Sequence, residues 1–159
     1  MKIEFEPIGI IRSPFRELKG MPIQPASSRG AAGSVEVLPE FTSGLKDLEG
    51  FSHIILIYFF HLIEGYKLEV VPFLDTEARG LFATRAPKRP NPIGISVVSL
   101  ESVRKNILHI SSVDIADGTP LLDIKPYVPD FNPRGEVRTG WIEKAKKEIP
   151  QKNSDGRFL

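Results

Sequence analysis

The stretch Gly80 to Leu100, GLFATRAPKRPNPIGISVVSL, gathers three cations and three prolines into one short loop between strand-like runs. Arg85, Lys88 and Arg89 carry fixed positive charge, while Pro87, Pro90 and Pro92 restrict their own φ angles and bias the residues before them toward extended backbone. A loop stiffened this way loses little entropy on capturing an anion, and Arg offers a planar fork for carboxylate or phosphate. A solvated, Pro-rich turn has the same composition, so the loop alone does not name a ligand. Gly94, where the next strand begins, suits either a tight strand entry or the close approach of a ligand to backbone.

A second block, VDIADGTPLLDIKPYVPD from Val113 to Asp130, holds Asp114, Asp117, Asp123 and Asp130 with Lys125 among them. Its Asp117-Gly118-Thr119-Pro120 step is a turn signal. A turn exposing a carboxylate, a hydroxyl and backbone amides can grip a ribose or an amino group, although a purely structural turn is the default. A third block, FSHIILIYFFH from Phe51 to His61, carries two of the three histidines. In an unbroken strand His53 and His61 share a face but lie roughly 26 Å apart, at ~3.3 Å per residue, so they cannot share a metal. His109 sits in an alternating run and reads as solvent-facing. No Ser-His-Asp order, HExxH, P-loop or GxGxxG pattern can be assembled, which disfavours a triad hydrolase, a zinc protease and a Rossmann-type methyltransferase.

The elements that must position these blocks are short strands separated by Gly, Pro, Asn and Asp, the pattern of an all-β sandwich or barrel. Strands are expected at Ile3–Arg12, Ser34–Leu38, Ser52–Phe60, Leu68–Val71, Gly80–Thr84, Ile95–Val103 and Ile107–Asp114, with a hairpin at Arg104-Lys105-Asn106. Helical signals are few: a turn within Thr42–Leu48 and a longer helix over Thr139–Ile149 with Thr139 as its cap. Phe15 to Gly33 reads as a long loop, and loops of that length inside a domain tend to be functional or mobile. The final QKNSDGRFL reads as a loose polar tail.

At 159 residues the chain suits one domain with a real core. It has no cysteine, which excludes disulfides and thiolate chemistry and fits a reducing cytoplasm. The N-terminus has no signal-peptide pattern, and the longest apolar run, Ile54–Phe60, is far short of the roughly 20 residues of a membrane span. With 21 basic and 20 acidic residues the formal net charge is +1, so any nucleic-acid contact must be local.

Four strings, FEPIGIIRSPF, FSHIILIYFFH, FATRAPKRPNPIGIS and DGTPLLDIKPYVP, taken in this order, resemble the TsaA-like family, the TrmO-type tRNA (adenine-N6)-methyltransferases, from about Phe5 to Asp130. The resemblance implies an all-β fold, an antiparallel β-barrel of about six to seven strands with short peripheral helices. It divides the chain into a barrel domain, 1–137, and a C-terminal helix and polar tail, 138–159. It implies a homodimer that binds S-adenosylmethionine and methylates the exocyclic nitrogen of N6-threonylcarbamoyladenosine beside a tRNA anticodon, with no metal and no membrane. By motif position Gln24, His61, Arg85, Arg89, Asn91, Ile95, Ala116, Asp117, Gly118 and Thr119 would contact the cofactor, and Lys88 and Arg89 the tRNA. The target nitrogen needs a base, for which His61 and Asp117 are the candidates. Pro22-Ile23-Gln24 stands where the family commonly has PRQ, and Ala86 follows Arg85 where it commonly has Ser. The basic segment Arg138–Lys147 is a further candidate for RNA contact.

Overall fold

The computed structural model describes residues 1–25, 28, 30–133, 135–155 and 157–158. Its strands are β1 (Gly9–Arg12), β2 (Gly33–Val37), β3 (His53–Phe59), β4 (Glu69–Val70), β5 (Arg79–Gly80), β6 (Ile93–Arg104), β7 (Ile107–Ser111) and β8 (Thr119–Pro126). Six of them close an antiparallel barrel in the order β1-β2-β7-β6-β3-β8, with β8 pairing back onto β1. β4 and β5 form a separate two-stranded ribbon. Closure leaves these strands no free edge.

Period-two alternation builds the core. In β3, Ile54, Leu56 and Tyr58 point inward and are buried, while Ile55, Ile57 and Phe59 point outward. Ile11, Val35, Val98, Leu108 and Leu121 join them from the other strands. β3 pairs with β6 from His53 opposite Ser99 to Phe59 opposite Ile93, which sets Gly94 directly across from Tyr58.

The structure redraws several expected boundaries. Of Ile3–Arg12 only Gly9–Arg12 is strand, and β6 begins at Ile93 rather than Ile95. β7 stops at Ser111 because Ser112 turns the chain with φ 63°. Gly80–Thr84 contributes one strand residue before a 3-10 turn, Leu81–Ala83. β8 occupies a segment read as turn and loop: its prolines and its Asp123–Lys125 pair hide an alternation in which Thr119 and Leu121 face the core. In place of the helix over Thr139–Ile149 there are 3-10 turns at Gly140–Ala145 and Ile149–Gln151. Gly140 opens them with φ 58°, and the Thr139 hydroxyl bonds the Glu143 carboxylate instead of capping backbone.

The tail is not loose. Ser154 donates its N–H to Met21 O at 2.7 Å and accepts from Gly20 N at 2.9 Å, pinning the tail to the long loop. Phe158 is buried beside Val70, Leu81 and Ala86, edge-on to Phe73 at 5.0 Å. Within the long loop, Ala26, Ser27 and Arg29 lie outside the described residues. Among the described residues, no helix is long and apolar enough to cross a membrane, and no cluster of His, Asp or Glu is arranged to hold a metal.

Candidate active site

A cavity of about 640 Å3 opens beside the end of the barrel where β3 finishes and β6 starts. Its walls come from the long loop, the turn after β3, the cationic loop, the start of β6, the turn before β8 and the C-terminal segment. Of the residues singled out in the sequence, Gln24, His61, Arg85, Arg89, Ile95, Ala116 and Thr119 converge on it. Asn91, Asp117 and Gly118 lie outside its lining, and Lys88 lines a neighbouring depression with Asp75 and Arg157.

The two arginines of the loop are used differently. Arg85 is exposed, and its Nη1 reaches Gln24 Oε1 at 3.5 Å, so most of its fork faces the cavity mouth. Arg89 donates from Nη1 to Thr84 O at 3.1 Å and Ala86 O at 3.2 Å, and its guanidinium lies 5.8 Å from the Phe82 ring. Arg89 thus ties the loop to itself and fixes where Arg85 stands. Trp141 braces the same loop from the C-terminal segment, donating Nε1–H to Ala83 O at 2.8 Å.

On the opposite wall the Thr119 hydroxyl donates to Ala116 O at 2.8 Å, and having one proton it can only accept from His61 Nδ1, 3.3 Å away. This assigns the Nδ1–H tautomer and leaves Nε2 as an acceptor. Partial burial pushes the His61 pKa below its ordinary value against the pull of the nearby Asp117 charge, so the ring is neutral at pH 7. Asp117 itself serves the turn: its Oδ1 accepts Ser13 N–H at 3.1 Å, its own N–H donates to Phe15 O at 2.7 Å, and Gly118, at φ 77°, donates to Ile11 O at 2.9 Å.

One part of the site escaped the sequence reading. Tyr58 OH lies 3.0 Å from Ser96 Oγ, and Ser96 Oγ donates to Asp114 Oδ1 at 2.7 Å. The serine proton is committed to the carboxylate, so the phenol donates to the serine and a relay runs from Tyr58 to Asp114. Burial drives the Asp114 carboxyl up from 3.8 to about 6, against the opposing effects of the Ser96 hydrogen bond and the Arg85 charge. Burial, reinforced by the Asp114 charge, likewise raises the Tyr58 phenol and keeps it neutral. The sequence signal was a single Asp between two β-branched residues, which an acid-rich turn obscures.

The family model described as the tRNA-methyltransferase O N-terminal domain matches residues 10–133. A protein of Pyrococcus abyssi, named as a probable S-adenosyl-L-methionine-binding protein, is 57% identical over 159 residues, covering all of this chain and 86% of the relative. The tRNA (adenine(37)-N6)-methyltransferase of Escherichia coli K12 is 43% identical over 136 residues, 79% of this chain and 58% of that enzyme. The crystal structure of TrmO from Pseudomonas aeruginosa superposes with a TM-score of 0.73 at 41% identity, covering 89% of this chain and 63% of that one. The closed barrel with a largely apolar cavity at its end, set with a few polar groups, defines a β-barrel domain of a kind unlike the Rossmann fold. The chain belongs to the tRNA-methyltransferase O family. It spans less than two thirds of the Escherichia coli enzyme and of the Pseudomonas structure.

Proposed function

We propose that this chain is an S-adenosylmethionine-dependent methyltransferase of tRNA, acting in the cytoplasm on the exocyclic nitrogen of N6-threonylcarbamoyladenosine. The observation that carries the reading is the convergence on one cavity of an arginine fork, a neutral histidine and apolar walls. A volume of about 640 Å3 lies within the usual range for small-molecule sites, ~300–1,000 Å3. The residues fit the cofactor's parts: Arg85 suits its carboxylate, Phe60 and Ile95 suit the adenine faces, and the Ala116–Thr119 backbone and Gln24 suit its polar edges. Bound there, S-adenosylmethionine would supply an activated methyl group on a sulfonium centre. Asp117 and Gly118 would act from behind by holding the Thr119 turn, Asn91 by shaping the entry to β6, and Lys88 and Arg89 from the rim that faces tRNA.

The homologue names support both the cofactor and the tRNA acceptor. The test is the nucleoside composition of tRNA from a strain without this gene. Loss of methylated threonylcarbamoyladenosine is expected, and an unchanged profile rejects the acceptor. A second reading, a protein that binds the cofactor without methylating tRNA, draws on the name of the Pyrococcus relative, whose length this chain nearly matches. Tight calorimetric binding without turnover on tRNA would establish it.

Replacing Arg85 by Ala should weaken S-adenosylmethionine binding about tenfold, near 1.5 kcal/mol, the low end for a charge-assisted hydrogen bond because the side chain is exposed. Calorimetry showing an unchanged Kd would remove Arg85 from the carboxylate site. The working unit we assign is a homodimer. Its support is an apolar ridge on the outer face of β3 and β6 that runs up to the cavity mouth, where Ile57 opposes Ile95 and Phe59 opposes Ile93, both isoleucines of β6 also lining the cavity, and where Phe59 remains 40% exposed. Sedimentation equilibrium returning a monomer would reject it.

A further inference from the structure

The cavity holds one carboxylate that the reading above leaves without a task. Asp114 is the single acidic side chain among the described residues lining it. No described cation comes within ion-pair distance of this carboxylate, and Arg85 acts on it only at longer range. Val113 and Ile115, 0% and 2% exposed, belong to the barrel core, and Asp114 between them lines the cavity together with Ile115 and Ala116. Ser112, at φ 63°, sets the start of this segment. A part-buried carboxylate without a cation costs stability.

Resting on the methyltransferase reading, we propose that Asp114 is the catalytic base, taking the proton from the exocyclic nitrogen that is methylated, with Tyr58 and Ser96 as positioning residues. The nitrogen gives its proton to the carboxylate as its lone pair forms the bond to the methyl carbon. The carbon–sulfur bond breaks with its electron pair left on sulfur, so a sulfonium and a carboxylate end as a neutral thioether and a carboxylic acid. Both charges vanish together, which suits a cavity walled mostly by apolar side chains.

Electrostatics separates Asp114 from the other candidates. The charged and titratable groups lining the cavity with it are Tyr58 and His61 from β3 and its following turn, and Arg85 and Arg89 from the cationic loop. If His61 took the proton, a third cation would form beside two arginines. Asp117 holds Ser13 N–H and stands outside the cavity lining. The Ser96 bond fixes Oδ1 of Asp114, and a carboxyl that titrates near pH 6 is matched to proton transfer near neutrality.

The test compares wild type, Asp114→Asn and Ser96→Ala by three measurements, the last two made on all three proteins. The first is a carbon-13 NMR titration of the carboxyls in ligand-free wild type and Ser96→Ala. The second is calorimetry with S-adenosylmethionine, and the third is the pH dependence of single-turnover methyl transfer to tRNA that lacks the methyl group. Asn can still accept the Ser96 hydroxyl, so the fold is retained. We expect Asp114→Asn to bind the cofactor within threefold of wild type while transfer slows by roughly 10²–10⁴-fold. Removing the Ser96 donor disfavours the ionised carboxylate, so in Ser96→Ala both the Asp114 resonance and the acidic limb of the rate should move to higher pH. A merely structural Asp114 would move neither limb nor rate. Transfer by Asp114→Asn within fivefold of wild type, or an acidic limb that stays put in Ser96→Ala, overturns the assignment while leaving the function standing. A wild-type chain that binds cofactor but never methylates tRNA overturns both.

Discussion

Asp114→Asn is expected to be more stable than the wild-type chain at pH 8 by about 2–3 kcal/mol, and to lose that advantage as the pH falls toward 4. In the wild type the carboxyl titrates near 3.8 when unfolded and about 6 when folded. Above pH 6 it is ionised in both states, and only the folded state bears the cost of holding the charge away from water. Between about 6 and 3.8 the folded protein takes up the proton first, so the wild type gains stability relative to the variant. Below that both states are protonated and the two proteins converge. At about 1.4 kcal/mol per pKa unit, a rise of this size sets the scale of the gain. His61, whose pKa is lowered on folding, makes both proteins less stable as the pH falls through its range, so it cancels from the difference. Urea denaturation at pH 8, 6 and 4 measures the gap, and a gap that is flat with pH would mean that the carboxyl is not perturbed by burial. A variant that folds better and transfers methyl groups far more slowly would show that the chain holds this charge for its chemistry.

What could be read in advance follows from where the signal resides. β3 and β6 are legible because Ile54–Phe60 is a continuous apolar run and Ile95, Val97 and Val98 are β-branched residues within one segment. β8 is not, because Pro120 and Pro126 and two charges break its pattern while its core contacts are made with β1 and β3, far away in sequence. The site divides the same way. Arg85, His61 and Thr119 stood out as motif residues, and the cavity gathers them. Asp114, one of the four acids of its block, carries no role legible in the sequence, since its meaning comes from Ser96 and, through it, Tyr58, which only strand pairing brings together. The tail differs from its expectation for a related reason: Ser154 bonds Gly20 and Met21 of the long loop and Phe158 sits in a small apolar cluster, and neither set of partners is local. Arg89 shows the converse, a cation conspicuous in sequence whose Nη1 is engaged by carbonyls of its own loop.

The other large effect belongs to Gly94, whose sequence reading as a strand-entry glycine or a point of close approach resolves into a packing requirement. A Cβ at this position would lie 2.2 Å from Tyr58 Cε2, 2.5 Å from Cζ and 2.9 Å from the tip of the Phe60 ring. Ring atoms cannot yield as the end of a flexible chain does. Tyr58 is held at its hydroxyl by Ser96 and packs edge-on to Phe60 at 5.4 Å, so displacing it breaks the relay to Asp114 and reshapes the cavity floor together. Gly94→Ala should therefore cost about 3 kcal/mol or more, at the upper end for overpacking a core. It should also weaken cofactor binding at temperatures where the barrel remains folded. Without the Tyr58 donor behind it, Ser96 is less firmly oriented toward Asp114, so the carboxyl resonance should move to higher pH as well. Thermal unfolding followed by circular dichroism, with calorimetry at 20 °C below the transition, reads the first two effects. A Gly94→Ala chain with wild-type stability and affinity would mean that Tyr58 can leave its place freely, and the relay would then have no fixed end.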